Sequence, residues 1–343
     1  MRGTSSVPLA GAVLALAVLA GPGPVASSHE LDNACRQDAQ TAPARAVVNA
    51  QNVPYGTDPA QKLDVYRPAT AGAATRYPSI IIVHGGGWSM FDQAGNRCLA
   101  TYFVQRGDYV VFNIDYRKLD NSTVYLNDII EDVFGAILWV KDNAARYGAN
   151  PDMIGITGDS AGGHLAAIAA LAADRVSATG GFAAGRFTFK PVYLGTRTRV
   201  SPSDVAVNAC VSNFGVMTIP TGMTLVSLRD YKTRLNMLAA PVNTPEHYAA
   251  CSPMSNIANK GVPKIPFLDA GGSADAVVPP ATIDAFHSAL VSAGYPAARI
   301  NYPGLGHAYL NCGRSGIGAD AAKAADDMLA FWDRHLVRAA PAR

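Results

Sequence analysis

The sequence predicts an α/β fold in which a mostly parallel, twisted sheet carries helices on both faces, and three observations support this prediction. Short apolar runs, typical of buried strands, alternate with longer segments of helical periodicity along most of the chain. Glycine-rich turns directly follow two of these runs. Hydrophobic residues make up 49% and charged residues 16% of the 343 residues, and this composition excludes a disordered chain.

The strands are predicted where apolar residues follow one another or alternate with polar ones. Such runs lie at residues 63–66, 79–83, 109–114, 153–157, 205–214, 265–270 and 299–302. The runs at 79–83 and 109–114 are almost entirely apolar, which is typical of central strands that are covered on both faces. The run at 63–66 alternates and stops at Pro68, so we expect it to form an edge strand.

The helices are predicted where apolar residues recur every three or four positions, or where Ala and Leu dominate. These segments lie at residues 94–106, 128–147, 164–173, 281–293 and 319–337. In the second of them, Ile129, Val133 and Ile137 share one face of the helix. Gly148 then closes this helix, and Pro151 prevents its continuation.

Strands and helices alternate without a break in composition or an internal repeat, so we expect one domain over residues 27–343. Two segments depart from the alternation. Residues 174–203 are rich in glycine and basic side chains, and residues 216–260 are irregular, interrupted by prolines and rich in Met. We expect both to be insertions near the functional site, the second forming a small irregular cap. A Met-rich cap can adapt to varied apolar groups, but we favour the alternative that these Met side chains are core.

The N-terminus has the pattern of a secretory signal peptide. Arg2 precedes an apolar run at residues 7–20, and small residues and prolines follow as far as residue 28. Because this run is shorter than the about 20 residues that span a bilayer comfortably, we expect residues 1–26 to be a cleaved leader, with an uncleaved anchor as the alternative. Cleavage after Ala20 or Ala26 fits equally well. The mature protein is predicted to be secreted or periplasmic, without an integral membrane span.

The charge balance bears on the class of partner. The formal net charge is +2 at pH 7, and no dense run of Lys or Arg is present. The electrostatic footprint of a nucleic-acid-binding protein is therefore missing, and we expect no nucleic-acid partner. A neutral or weakly charged organic substrate, either a small molecule or a group linked to a polymer, fits this balance better.

The five cysteines are Cys35, Cys98, Cys210, Cys251 and Cys312. They form no C-x-x-C pair, so the sequence predicts neither a metal site nor a redox motif. In an oxidising compartment we expect one or two disulfides and a free thiol. Cys210 lies in an apolar run and is expected to be buried as a small hydrophobic side chain. We favour a Cys98–Cys312 pair because both follow segments expected at the rim of the site, but other pairings remain open.

A glycine-framed serine follows the predicted strand at 153–157 and precedes a predicted helix. Gly158-Asp159-Ser160-Ala161-Gly162 matches G-x-S-x-G in the strand–turn–helix context that this motif requires. The serine has to sit on a tight, strained turn, so the positions two before and two after it exclude bulky side chains. This pattern predicts Ser160 as a nucleophile, with the N–H of Ala161 stabilising negative charge on an acyl oxygen. His164, on the helix that follows, is a candidate substrate-binding residue.

A second glycine-rich segment, residues 84–88, follows the strand at 79–83 and is called the glycine loop here. Its sequence, His84-Gly85-Gly86-Gly87-Trp88, suits no regular element but allows backbone N–H groups to approach a developing oxyanion closely. Gly86 and Gly87 are the predicted donors of an oxyanion hole, together with Ala161. His84 is expected to brace the loop. Trp88 is a candidate for lining the substrate pocket, and simple packing is the alternative.

The serine needs an imidazole to accept its proton and a carboxylate to orient that imidazole. Of the seven histidines, His307 lies in a glycine-containing loop just after the last predicted strand. The chain order serine, acid, histidine of this strand–turn–helix motif also favours His307. For the acid we favour Asp275, in the loop that follows the strand at 265–270, over Asp269, which lies inside that strand.

Taken together, these residues make the chain resemble the hormone-sensitive-lipase-like carboxylesterases, and especially the bacterial branch that includes feruloyl and acetyl esterases. The resemblance covers residues 60–337 and depends on the segments 84–88, 115–117, 158–164, 275–279 and 306–307. It implies an α/β-hydrolase fold and acyl transfer to water through a covalent acyl-enzyme, without a cofactor. The 115–117 segment is expected to be structural. The two insertions depart from the usual pattern and leave the substrate open.

Three functions are compatible with these motifs. The first is hydrolysis of carboxylic esters, which we favour. The second is an amidase, formamidase or peptidase that uses the same three side chains, and turnover of a p-nitrophenyl ester against its anilide separates the two. The third is a non-catalytic binding protein on the same scaffold, which is disfavoured because the serine and the histidine are both present.

Overall fold

The computed structural model describes residues 47–120, 122–226, 234–238, 243–310 and 317–337. The predicted leader at residues 1–26, together with Cys35 and Cys312, lies outside the described residues. The boundary between leader and mature chain and the proposed Cys98–Cys312 pair therefore stay predictions.

Eight of the described strands form one sheet. In chain order the strands are β1 (Val47–Pro54), β2 (Lys62–Pro68), β3 (Tyr77–Val83), β4 (Val110–Ile114), β5 (Ala149–Asp159), β6 (Gly181–Ala183), β7 (Arg186–Thr188), β8 (Ala209–Asn213), β9 (Thr224–Val226), β10 (Arg234–Asn236), β11 (Phe267–Gly272) and β12 (Ala297–Tyr302). The large sheet has the order β1-β2-β4-β3-β5-β8-β11-β12. From β4 to β12 every pairing is parallel, and only β1–β2 and β2–β4 are antiparallel.

Helices connect these strands. They are α1 (Arg97–Arg106), α2 (Leu126–Asn143), α3 (Ala161–Leu171), α4 (Pro202–Val205), α5 (Pro245–Ala250), α6 (Pro253–Asn256), α7 (Pro280–Ser292) and α8 (Ala319–Trp332). Single turns of tighter helix precede α1 at Gln93–Asn96 and follow α2 at Ala144–Tyr147. Within the described ranges, no helix combines the length and apolar character needed to cross a membrane.

The central strand β5 shows that helices cover both faces of the sheet. A Cβ on Gly155 would lie 2.8 Å from the ring of Trp332 in α8. Thr157, on the same face of β5, lies 3.7 Å from the sulphur of Met328 in that helix. Gly158 points the other way, and a Cβ there would overlap the carbonyl of Gly162 in α3. Because successive strand residues face opposite sides, α8 and α3 cover opposite faces, and the predicted fold class is confirmed.

The structure corrects one strand prediction. The strand at 63–66 was expected at the sheet edge, but β1 pairs antiparallel with β2 on its outer side, from Val47–Pro68 to Pro54–Lys62. Asn49, Gln51 and Asn52 of β1 are exposed. A strand with solvent on much of its surface needs no regular apolar alternation, so its sequence gave no strand signal.

The two insertions contain short regular elements. The first includes a two-stranded ribbon of β6 and β7, and the second includes a ribbon of β9 and β10 followed by α5 and α6. Met217, Met223 and Met237 are buried, each at most 3% exposed. The interpretation of the Met-rich segment as packed core is therefore the one the structure supports, while the segment's irregular, short elements agree with the predicted character of the cap.

Candidate active site

Ser160 stands on the sharp turn between β5 and α3. Its φ of 52° lies in the left-handed region that side chains rarely adopt. Its N–H donates to the carbonyl of Asn213 at the end of β8, at 2.9 Å. A Cβ on Gly162 would overlap the carbonyl oxygen of Val83, so the helix can approach β3 this closely only with glycine at that position.

The structure brings the three predicted catalytic side chains together from separate loops. His307 Nε2 lies 3.0 Å from Ser160 Oγ, and His307 Nδ1 lies 2.8 Å from Asp275 Oδ2. The loops that hold them follow β5, β11 and β12, whose carboxyl ends meet at one edge of the sheet. The arrangement suits transfer of a proton from a hydroxyl to an imidazole that a carboxylate orients.

Asp275 is held as a carboxylate by its surroundings. Its Oδ1 accepts the N–H groups of Val277 at 2.8 Å and Val278 at 2.9 Å, while Oδ2 faces His307. Burial by itself raises the pKa of this carboxyl, but the hydrogen bonds from His307 and from the two backbone N–H groups outweigh burial and leave the pKa below its ordinary value.

Asp269, the alternative acid in the sequence, points elsewhere. Its buried side chain lies 3.2 Å from His287 Nδ1, on the face of β11 covered by α7. Its other carboxylate oxygen has no partner among the described residues. The preference for Asp275 over Asp269 agrees with this geometry, because only Asp275 is bonded to His307.

The three backbone N–H groups predicted to form an oxyanion hole lie in the glycine loop and at the start of α3. Gly86 and Gly87 have positive φ angles of 109° and 56°, conformations that glycine adopts without strain. The carbonyl of Gly86 accepts the N–H groups of Ser89 and Met90. The N–H groups of Gly86, Gly87 and Ala161 donate to no other residue in the part of the chain that the structure describes.

The carboxylates of Asp115, which is buried, and of Asp159, which is partly buried, hold the glycine loop. The 115–117 segment was expected to be structural, whereas the sequence suggested no role for Asp159. Asp159 accepts the N–H of Gly85 at 3.0 Å, and Asp115 lies 3.0 Å from Nε2 of His84. The hydroxyl of Tyr116 donates to the carbonyl of His84 at 2.8 Å, and the two rings stack with centroids 4.2 Å apart. The signal for Asp159 was its position just before Ser160, which brings it next to the loop after the neighbouring strand β3.

Comparison with known proteins gives the family. The family model BD-FAE matches residues 63–302. The chain belongs to the BD-FAE family. Esterase LipQ of Mycobacterium tuberculosis is 31% identical over 268 residues, which is 77% of this chain and 58% of LipQ. The chain thus spans less than two thirds of this curated relative. The resemblance to bacterial esterases that the motifs predicted is confirmed.

Solved structures of esterase 2 from Thermogutta terrifontis share the BD-FAE chain's fold. The butyrate-bound form is 26% identical, covers 88% of this chain and 97% of its own, and gives a TM-score of 0.59. The form phosphorylated by paraoxon is 26% identical, covers 85% of this chain and 94% of its own, and gives a TM-score of 0.58. The α/β-hydrolase fold is therefore shown by topology and by these neighbours.

Trp88 and His164 were candidate substrate-binding residues, with simple packing as the alternative for Trp88. In this BD-FAE chain Trp88 is 1% exposed and His164 is 0% exposed, which agrees with packing rather than with a surface that contacts substrate. Instead, Trp88 Nε1 donates to His164 Nδ1 at 3.2 Å. The sequence could not reveal this bond because the two residues are 76 positions apart.

Phe214 is a further site residue that the sequence did not suggest. It follows β8 with a φ of 39°, and its ring makes a T-shaped contact with the imidazole of His307, with centroids 4.7 Å apart. A cavity of about 120 Å³ opens beyond it, lined by Val216, Met217, Thr218, Val277, Val278, Pro279 and Thr282. Within the described residues, no group of three or more His, Cys, Asp or Glu side chains is placed to hold a metal ion.

Proposed function

We propose that this protein is a serine carboxylesterase that hydrolyses carboxylic esters through a covalent acyl-enzyme. The observation that carries the proposal is the hydrogen-bonded series Ser160–His307–Asp275. The N–H groups of Gly86, Gly87 and Ala161, which have no acceptor among the described residues, support it. The name of LipQ and the phosphorylated form of the Thermogutta esterase support it, since a group that accepts phosphorus from paraoxon is a nucleophile.

The first half of the reaction forms the acyl-enzyme. His307 Nε2 accepts the proton of Ser160 Oγ while Oγ attacks the ester carbonyl carbon, and the carbonyl oxygen becomes an oxyanion. The N–H groups of Gly86, Gly87 and Ala161 stabilise this negative charge. His307 then gives its proton to the alcohol oxygen as the carbon–oxygen bond breaks, and the alcohol leaves.

The second half repeats these steps with water. His307 Nε2 takes a proton from a water molecule, whose oxygen attacks the acyl carbon of the ester on Ser160. The oxyanion hole holds the second tetrahedral intermediate, which collapses to the carboxylic acid as His307 returns the proton to Ser160 Oγ. Asp275 accepts a hydrogen bond from the Nδ1–H group of His307 throughout, which keeps the proton on Nδ1 and leaves Nε2 free to act as the base.

Substitution of the nucleophile tests this proposal. Ser160→Ala should lower kcat for p-nitrophenyl acetate by at least about a thousandfold and abolish labelling by a fluorophosphonate probe. Ser79→Ala is the matched control. This serine is also buried, but it lies at the end of β3 away from the glycine loop and donates to the carbonyl of Asn150. The Ser79→Ala variant should keep both activity and labelling. A Ser160→Ala enzyme that still turns over the ester at the wild-type rate would rule out the assignment.

We also propose that the protein is exported and carries a Cys98–Cys312 disulfide. The leader-like N-terminus supports export. Cys210 and Cys251 are free and fully buried, and burial raises the pKa of both thiols well above the ordinary value, which leaves Cys35, Cys98 and Cys312 as candidates for pairing. Peptide mass mapping of the exported protein without reductant should find residues 98 and 312 in one cross-linked peptide. A mature chain that retains residues 1–26 would contradict cleavage of the leader.

A further inference from the structure

A buried contact joins the glycine loop to the helix that follows the nucleophile. The indole N–H of Trp88 donates to Nδ1 of His164 at 3.2 Å, and the two rings meet edge to face with centroids 5.4 Å apart. Neither side chain is exposed, and neither takes part in the proton transfers described above. The contact therefore calls for an explanation other than binding of substrate.

The state of His164 is fixed by its surroundings. Its Nε2 lies 2.8 Å from the carbonyl of Cys251, which can only accept, so Nε2 carries the proton. Burial lowers the pKa of His164 to about 4, and the ring is neutral at neutral pH. Nδ1 is then an acceptor only, and the acceptor faces the indole N–H.

The backbone conformation of Trp88 connects the position of its indole to the geometry of the glycine loop. Gly86, Gly87 and Trp88 follow one another with φ angles of 109°, 56° and 57°. Two of the three are glycines, but Trp88 has a side chain and is strained in this left-handed conformation. Its carbonyl accepts the N–H of Leu119 at 2.9 Å, so backbone and side chain are each tied to a different segment.

We propose that His164 is a positioning residue, which holds the indole of Trp88 and so fixes the directions of the Gly86 and Gly87 N–H groups. This inference rests on the proposed function, because it assigns these N–H groups to an oxyanion. Donors that are already aligned stabilise the transition state without reorganisation, and small misalignment weakens them. Loss of the bond should therefore slow the chemical step and leave binding of the ground-state ester nearly unchanged.

Trp88→Phe tests the inference, because it keeps an aromatic ring at this position and removes the N–H donor. The variant should lose about tenfold in kcat, a part of the 10²–10³-fold effect of deleting one oxyanion donor, while KM stays within about twofold. A trifluoromethyl ketone forms an oxyanion on the nucleophile, so its affinity should fall by the same factor as kcat/KM. Affinity for a neutral alcohol of the size of the leaving group, which presents no oxyanion, should not change.

Trp332→Phe is the matched control. Trp332 is also fully buried, but its indole N–H has no acceptor among the described residues and it packs on the face of β5 remote from the glycine loop. Any loss of packing energy should appear in the thermal midpoint of both variants. A fall in kcat should appear in Trp88→Phe alone. Equal kcat in Trp88→Phe and wild type would overturn the inference.

His164→Leu removes the acceptor from the other side of the same bond. If the bond acts as proposed, the double variant Trp88→Phe/His164→Leu should be no slower than His164→Leu alone, because both substitutions break one interaction. Rate losses that multiply would contradict a shared role. Should His164→Leu fail to fold, Trp88→Phe and the inhibitor affinities still decide the question. Failure of the proposed function is distinct, since it would appear as activity or fluorophosphonate labelling that survives in Ser160→Ala.

Discussion

Asp275 and Asp269 are six positions apart, yet their surroundings act on them in opposite ways. Both are buried, but Asp275 accepts two backbone N–H groups and faces His307, whereas Asp269 has one oxygen near His287 and another without a described partner. Hydrogen bonds lower the pKa of Asp275, while burial raises the pKa of Asp269 to about 8 and Arg299 offsets only part of this rise. Hydrogen bonding thus separates a carboxylate suited to orienting imidazole from a carboxyl whose pKa is raised by burial.

Asp269 should make the protein less stable as the pH rises. An unfolded Asp has a pKa near about 3.9, so between that value and about 8 the folded state holds a proton that the unfolded state has lost. The free energy of unfolding then falls with increasing pH across this window. Asp269→Asn removes this titration, so the variant should be similar to wild type in stability at pH 4.5 and more stable by several kcal/mol, up to about 5 kcal/mol, at pH 9.

Chemical unfolding of wild type and Asp269→Asn at pH 4.5 and at pH 9 gives the difference in their free energies of unfolding at each pH. The contributions of the other titrating groups are the same in both proteins and cancel in this difference. Asp152→Asn is the control, because that carboxylate is exposed near the start of β5 and is not among the groups that act on Asp269. Its difference from wild type should be the same at both pH values. If the stability difference between Asp269→Asn and wild type is also the same at both pH values, the carboxyl of Asp269 is ionised in the folded protein and the prediction is wrong.

For individual residues, the sequence was informative wherever their role depends on the conformation of the local backbone. Ser160, with glycines two positions away on either side, and the three glycines of residues 85–87 stand out because their turns exclude other residues. The contact of Phe214 with His307 and the bond of Trp88 to His164 could not be predicted, because each joins residues that are distant along the chain. Long-range side-chain contacts follow from packing and leave no local pattern.

Among the elements, the central strands were predicted well and the periphery poorly. β3, β4 and β5 are buried on both faces, and their apolar runs identify them without tertiary information. β1 was missed because much of its surface is in solvent. The ribbon of β6 and β7 was missed because each strand has only three residues. The shortest exposed elements are determined by what they pack against.

One such packing contact involves Arg175, which anchors the β6–β7 ribbon. Its guanidinium donates to Asn256 at 2.7 Å, to Glu246 at 2.6 Å and to the carbonyl of Phe187 in β7 at 3.2 Å. These bonds connect the first insertion to α5 and α6 of the second. The two segments that depart from strand–helix alternation in the sequence are thus joined to each other in the structure.

In the molecule as a whole, the residues of the site lie along one edge of the sheet. The glycine loop follows β3, Ser160 follows β5, Phe214 follows β8, and the loops of Asp275 and His307 follow β11 and β12. In a parallel sheet all of these chain segments emerge on the same side, which is why residues from distant parts of the sequence meet there. The cavity of about 120 Å³ lies between the loops after β8 and β11.

This cavity predicts a preference for esters with a short apolar group. A cavity of roughly 150 Å³ can hold benzene, which has six carbon atoms, so about 120 Å³ should hold about four or five. It is also well below the roughly 300–1,000 Å³ of pockets that bury drug-sized ligands. We therefore expect kcat/KM to fall beyond about four or five carbons in one of two ester series, either acids of increasing length on p-nitrophenol or alcohols of increasing length on acetate.

The ester series in which kcat/KM falls beyond this chain length identifies whether the acid or the alcohol enters the cavity. Enlarging the cavity should then move the fall to longer chains. Val277→Ala removes two methyl groups from the lining and leaves the backbone N–H that bonds to Asp275 in place. The optimum in that series should shift to longer chains by about one or two carbons, while the other series stays unchanged. Val291→Ala, at a 52% exposed position on α7, should alter neither series. If kcat/KM is insensitive to length in both series, or if Val277→Ala leaves the limit where it was, the cavity does not receive the substrate.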